Sequence, residues 1–188
     1  MDHSDLADYA RNHAAPIPHS RGGTRYRCAA YLTDGLYLPC VVLASPDLLV
    51  DLAIHRFAEA FEGRSRVLGE TYRDAVRYFV TSDNRLSHYD IDRLEPSPYA
   101  IPIERLAEIR GETTMSWTAF NGIMKDGREF SFGTALPTEF FHMPVGYSGS
   151  DIVQVVSHKR TEGEVYRERP FFTCFVKGLE ARGSDAAG

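Results

Sequence analysis

Two-residue alternation of apolar and polar positions, broken by an Asp-Gly pair, occurs twice along the chain and marks two hairpins. In the first, Tyr26, Cys28, Ala30 and Leu32 precede Thr33-Asp34-Gly35, and Leu36, Leu38, Cys40 and Val42 follow it. A two-residue Asp-Gly loop would pair Thr33 with Leu36. A three-residue loop ending in a left-handed Gly35 pairs Leu32 with Leu36 and gathers the eight apolar residues on one face, so the apolar pattern selects it. Pro39 has no N–H for a ladder, which predicts that the second strand lies at an edge or carries a bulge. The same register makes Cys28 and Cys40 cross-strand neighbours, read here as two reduced, buried thiols rather than a disulfide.

The second hairpin runs from Thr113 to Met124, turns at Asp126-Gly127 and returns from Arg128 to Thr134. Here the two-residue loop brings Met115, Trp117, Ala119 and Ile123 onto the face of Phe130 and Phe132 and is the predicted register. Asn121 falls on that face, and the Asn121-Gly122 pair predicts a relieving bulge. Strands are also predicted over Ile152–Ser157, Val165–Arg169 and Phe171–Lys177 from their β-branched and aromatic content.

Helical spacing is confined to a few segments. Leu6–His13 reads as a short amphipathic helix in an N-terminal arm over 1–23. Ser45-Pro46-Asp47 is a helix start, with Leu49, Leu52, Ala53, Phe57, Ala60 and Phe61 at helical spacing and Gly63 as the stop. A further helix is predicted over about Gly69–Phe79 and a short one over Pro102–Arg110, closed by Gly111. Residues 82–101, polar and punctuated by Pro96 and Pro98, read as a long surface loop with one short strand near Tyr89. Together these predict an α+β fold: a mostly antiparallel sheet built from hairpins, with two or three helices packed on one face. The expected organisation is a single domain over 24–178 with a frayed tail over 179–188.

Composition narrows the function classes. The chain has 188 residues, 43% of them apolar and 12% aromatic, enough for one sizeable core and wrong for disorder. No apolar run approaches a membrane span, and the first residues lack the basic-then-apolar order of a secretory leader. Three cysteines without a Cys-x-x-Cys spacing fit a reducing, cytoplasmic setting without a disulfide framework or zinc module. A net charge of −5 without a basic stripe argues against nucleic acid as a partner. The preference for Arg over Lys fits a GC-rich bacterial genome, although Arg is also the residue for bidentate anion recognition.

Candidate chemistry is sparse. If His88-Tyr89-Asp90-Ile91-Asp92 were extended, His88, Asp90 and Asp92 would project to one side, where they could hold a divalent metal or where Asp90 could orient His88 as a general base. His142, in Glu139-Phe140-Phe141-His142, is expected to be desolvated and neutral, a second candidate base beside Glu139. Arg21, Arg25 and Arg27, flanking Gly22-Gly23, form the locally basic stretch and the candidate anion site. Gly146-Tyr147-Ser148-Gly149-Ser150 fails as a nucleophile elbow because its last position is Ser150, and Gly63–Thr71 fails as a phosphate loop in both spacing and residue type.

No cofactor is implied and no set of residues specifies a reaction. The expectation is therefore a non-enzymatic binding or protein-interaction domain, whose aromatic sheet face or Pro39 edge meets a partner or a second copy. The alternative is a small-molecule enzyme or ligand-binding domain using the His and Asp residues near 82–101.

Overall fold

The computed structural model describes residues 1–18, 24–46, 54, 58, 84–109, 115, 117–135, 138–157 and 164–179. These contain a helix α1 (His3–His13) and strands β1 (Ala15–Pro18), β2 (Thr24–Leu32), β3 (Tyr37–Ala44), β4 (Arg85–Leu86) and β5 (Ile91–Glu95). A one-turn helix α2 (Ile103–Leu106) follows, then strands β6 (Thr118–Met124), β7 (Glu129–Thr134), β8 (Ile152–Ser157), β9 (Val165–Arg167) and β10 (Phe172–Phe175).

The strands form two sheets. One has the order β1-β2-β3-β10-β4, with β5 also pairing β2, and the other has the order β8-β6-β7-β9. Among the described residues α1 is the one helix longer than a turn, so the expected layer of two or three helices is corrected to a mostly-sheet fold with few helices. The helices predicted after Ser45 and over 69–79 lie outside the described residues, apart from Ile54 and Ala58, which are helical. Nor are the sheets assembled from hairpins alone. Chain from the far end of the sequence inserts β10 in parallel between β3 and β4, and β9 lies parallel to β7. Val165–Arg167 and Phe172–Phe175 therefore enter different sheets. No helix among the described residues is long and apolar enough to cross a membrane.

Helix α1 starts at Asp2, whose side chain accepts from the Asp5 N–H at 2.9 Å. It packs Leu6, Ala7 and Ala10 against Cys28, Ala30, Val41, Leu43 and Cys174 on one face of the larger sheet. The opposite face carries Cys40, Val42 and Ala44 and is covered by Ala100 and Phe140. A third cluster belongs to the smaller sheet: Phe120, Met124, Phe132, Ile152 and Val155 meet Ile101, Leu106 and Phe141, with Ile17 of β1 reaching in from the larger sheet. Phe120 stacks on Phe132 at 5.3 Å and meets Phe141 edge-on.

Both hairpins use the same turn. Leu32 N–H bonds the Leu36 carbonyl and Met124 N–H that of Arg128, each at 2.8 Å, with Gly35 and Gly127 left-handed at φ 87° and 84°. In each turn the Asp carboxylate also accepts an N–H two residues on, from Leu36 onto Asp34 and from Arg128 onto Asp126.

The first hairpin thus has its predicted three-residue loop, with Ala30 opposite Leu38. Beyond that pair, Pro39 and Cys40 together face Ala29, which is the bulge that Pro39 implied, and the register moves by one so that Cys28 opposes Val41. Cys28 and Cys40 consequently lie on opposite faces of the sheet and are not neighbours. All three cysteines are free and buried. Strand β3 lies between β2 and β10, so the Pro39 strand is not an edge.

In the second hairpin the two-residue loop is corrected to three, pairing Phe120 with Phe132 and Gly122 with Phe130. One residue of slip turns every side chain over. Phe120 and Met124 enter the core, while Asn121 stands on the other face, bonded to Ser131 and Glu129.

Segment 82–101 is also not a long loop over its described part. It forms β4, a 3-10 turn over His88–Asp90 and β5, whose Ile91 and Leu94 are buried against the α1 face. The short helix predicted over Pro102–Arg110 is the single turn α2, which packs on β8 and β1.

Candidate functional site

The predicted histidine and aspartate residues do not assemble. His88 and Asp90 lie in the 3-10 turn that Ser87 caps, so the segment is not extended and the common side is lost. His88 is stacked between His3 and Tyr89, each ring centroid 3.9 Å away. Its pKa is lowered, first by desolvation and then by the positive charges of His3 and the N-terminal amine. Asp92 is exposed on β5 beside Arg93. Among the described residues no group of three or more His, Cys, Asp or Glu is placed to hold a metal ion.

His142 is exposed and follows Phe140, which covers the face of the larger sheet away from α1, and its N–H donates to the Arg167 carbonyl at 2.8 Å. Desolvation and the charge of Arg169 lower its pKa. Glu139, its proposed companion, pairs with Arg25 at 3.2 Å. His88 and His142 therefore occupy different sides of the molecule.

Of the basic stretch, Arg21 lies outside the described residues. Arg25 holds Glu139, and Arg27 is 0% exposed, with its two terminal nitrogens donating to the Glu139 and Pro16 carbonyls at 3.2 Å. Burial lowers the Arg27 pKa to about 10, so it stays protonated at neutral pH. β1 pairs with β2 within the sheet, and the Glu139–Phe140 segment lies over the face of β2 that carries Arg25 and Arg27. Arg25 and Arg27 tie these layers together.

What the structure does bring together is an open groove of about 560 Å³ between the end of α2 and strand β8, lined by Ala107, Glu108, Gln154, Val155, Val156 and Ser157. Among the described residues, strand β8 pairs with β6 on one side and with no strand on the other. Antiparallel pairing turns alternate backbone groups toward and away from the neighbour, and the Val155 N–H points away, into the groove. Its acceptor there is a side chain: the Glu108 carboxylate, at 2.8 Å. Val155 keeps its own side chain in the core, whereas Val153 and Val156 are 42% and 44% exposed.

Glu108 is held in place by an ion pair with Arg105, one turn earlier. The Val155 N–H keeps its carboxyl below the usual range, so it is ionised at neutral pH. The position of β8 is set by the turn before it. Ser148 and Asp151 form a reciprocal capping box, Asp151 pairs with Lys125 at 3.0 Å, and Gly149 N–H donates to the Pro98 carbonyl at 2.7 Å.

Sequence reasoning missed Glu108 and Val155. The available signal was the uncharged, β-branched run Ile152–Ser157, but nothing in it indicates which of its sides stays unpaired or which residue, 47 positions away, approaches it. Compared with family models, with curated proteins and with solved structures, the chain matches none.

Proposed function

We propose that this protein is a non-enzymatic interaction domain that binds an extended segment of a partner protein along the outer edge of β8, at Val155. The observation that carries this reading is the Val155 N–H, turned out of the sheet into an open groove and met there by a side chain instead of a strand. An edge strand with outward backbone groups is a template for another strand, with main-chain hydrogen bonds supplying affinity and flanking side chains supplying selectivity. Exposed Val153 and Val156 offer apolar surface to such a segment.

Substituting Val155→Pro removes the outward donor and leaves the β6 ladder intact, because that N–H is not in the ladder. The test is an array of short peptides probed with labelled wild-type and Val155→Pro protein. The reading expects extended, β-branched sequences to be retained by the wild type and lost by the variant. Retention of the same peptides by both proteins refutes it.

A further inference from the structure

The charge lining the groove says what kind of strand fits. Glu108 is ionised and is the one charged group among the six lining residues, which otherwise present methyl groups, an amide and a hydroxyl. Val155 directs its side chain to the α2 side of the smaller sheet, the side from which Glu108 reaches the edge. In an antiparallel pair, directly opposed residues project to the same face. The residue of an added strand that opposes Val155 therefore projects toward Glu108. Its two neighbours project to the other face, where Gln154 and the exposed Val156 lie.

Resting on strand addition at β8, we infer that Glu108 selects the partner: the bound segment carries Lys or Arg opposite Val155, flanked by β-branched residues. The segment's own backbone takes the Val155 N–H, and its cation takes the carboxylate that the N–H releases. Without that cation, strand addition would leave Glu108 with Arg105 on one oxygen and its second oxygen, Oε2, stripped of the N–H it now holds in a partly covered site, at a cost. The β8 strand of a second copy does not answer this requirement, since Ile152–Ser157 contains no cationic residue. Charge complementarity thus favours a different protein over self-pairing through this edge.

The test measures anisotropy of labelled, capped peptides alternating Thr and Val, with Arg, Gln or Glu at the centre, against wild type, Glu108→Gln, Glu108→Lys and Val155→Pro, each checked for native circular dichroism. The wild type should bind the Arg peptide about tenfold more tightly than the Gln peptide. Glu108→Gln, which keeps an acceptor for the Val155 N–H, should erase that preference, and Glu108→Lys should transfer it to the Glu peptide. Equal binding of all three peptides by the wild type, lost in Val155→Pro, leaves strand addition standing and overturns the role of Glu108. Binding of none of them up to about millimolar concentration, where weak peptide complexes are still populated, overturns both.

Discussion

Gly149→Ala tests whether the two walls of the β8 groove are held by one backbone contact. The Gly149 backbone is not left-handed, so the substitution carries no conformational penalty of that kind. Its effect is steric. A methyl group there would lie 2.4 Å from the Ala100 carbonyl oxygen, 2.6 Å from its carbon and 2.9 Å from the Ile101 nitrogen, all backbone atoms that cannot rotate away. Restoring an ordinary contact separates the two segments by about 1 Å. That stretches the 2.7 Å bond from Gly149 N–H to the Pro98 carbonyl beyond hydrogen-bonding range.

Losing that bond costs about 1 kcal/mol, and leaving its groups unsatisfied about 1–3 kcal/mol more. The stiffer unfolded chain returns about 0.4–1 kcal/mol. The net expectation is a destabilisation of about 2–3 kcal/mol, which for a chain of this length lowers Tm by about 5–10 °C. Urea and thermal unfolding followed by circular dichroism measure it. Ala100 and Ile101 lead into α2 while Gly149 leads into β8, so peptide binding at the groove should weaken in the still-folded variant. A loss below about 1 kcal/mol, well under what a forced 1 Å separation costs, refutes the reasoning.

Gly35→Ala and Gly127→Ala meet nothing within 4 Å, so each should cost only the left-handed backbone term, about 1–2 kcal/mol, and the two should agree closely in urea titrations. Both His88 and His142 have pKa values lowered from 6.5, so the unfolded chain binds protons more readily than the native one. Their contribution is present above that pH and is lost as pH falls through it; the urea midpoint should drop between about pH 7.5 and 5.5, and less so in a His88→Gln/His142→Gln variant. Burial pushes the Cys28 thiol up, and raises Cys40 to about 11 and Cys174 to about 12. A thiol reagent at about pH 8 should therefore label none of them in the native protein and all three after unfolding. Phe132→Ala empties a site packed by Phe120, Phe141 and Tyr166 and should cost about 3–5 kcal/mol by urea unfolding.

The two hairpins show where a sequence stops being informative. The pattern around Asp34-Gly35 is unambiguous because one choice of loop makes every alternate residue apolar, and that loop is the one observed. Around Asp126-Gly127 the strand has apolar residues at both parities, Trp117 and Ile123 on one side, Phe120 and Met124 on the other. The choice by apolar face therefore had two near-equal answers. The common turn chemistry, an Asp that immediately precedes a left-handed Gly and accepts the N–H two residues on, was the better guide.

Strand β5 was hidden for a related reason. It crosses a register shift against β2, so its buried residues Ile91 and Leu94 are three apart and show no period of two. The bulge at Pro39 was legible from the missing donor, but its effect on Cys28 and Cys40 was not, since a bulge changes the facing of everything beyond it.

Sequence by itself determined the local units: the positions of the two Asp-Gly turns, the Leu6–His13 helix, the strand over Ile152–Ser157 and the Pro39 irregularity. Each depends on interactions within a few residues. Tertiary structure alone decided which strands became neighbours, that Arg27 is buried and that His88 and His142 stand apart. It also decided that Glu108 meets Val155 across 47 residues. Those outcomes depend on contacts between distant segments, whose free energy is set by the burial and pairing of both partners at once, and no window of sequence contains both.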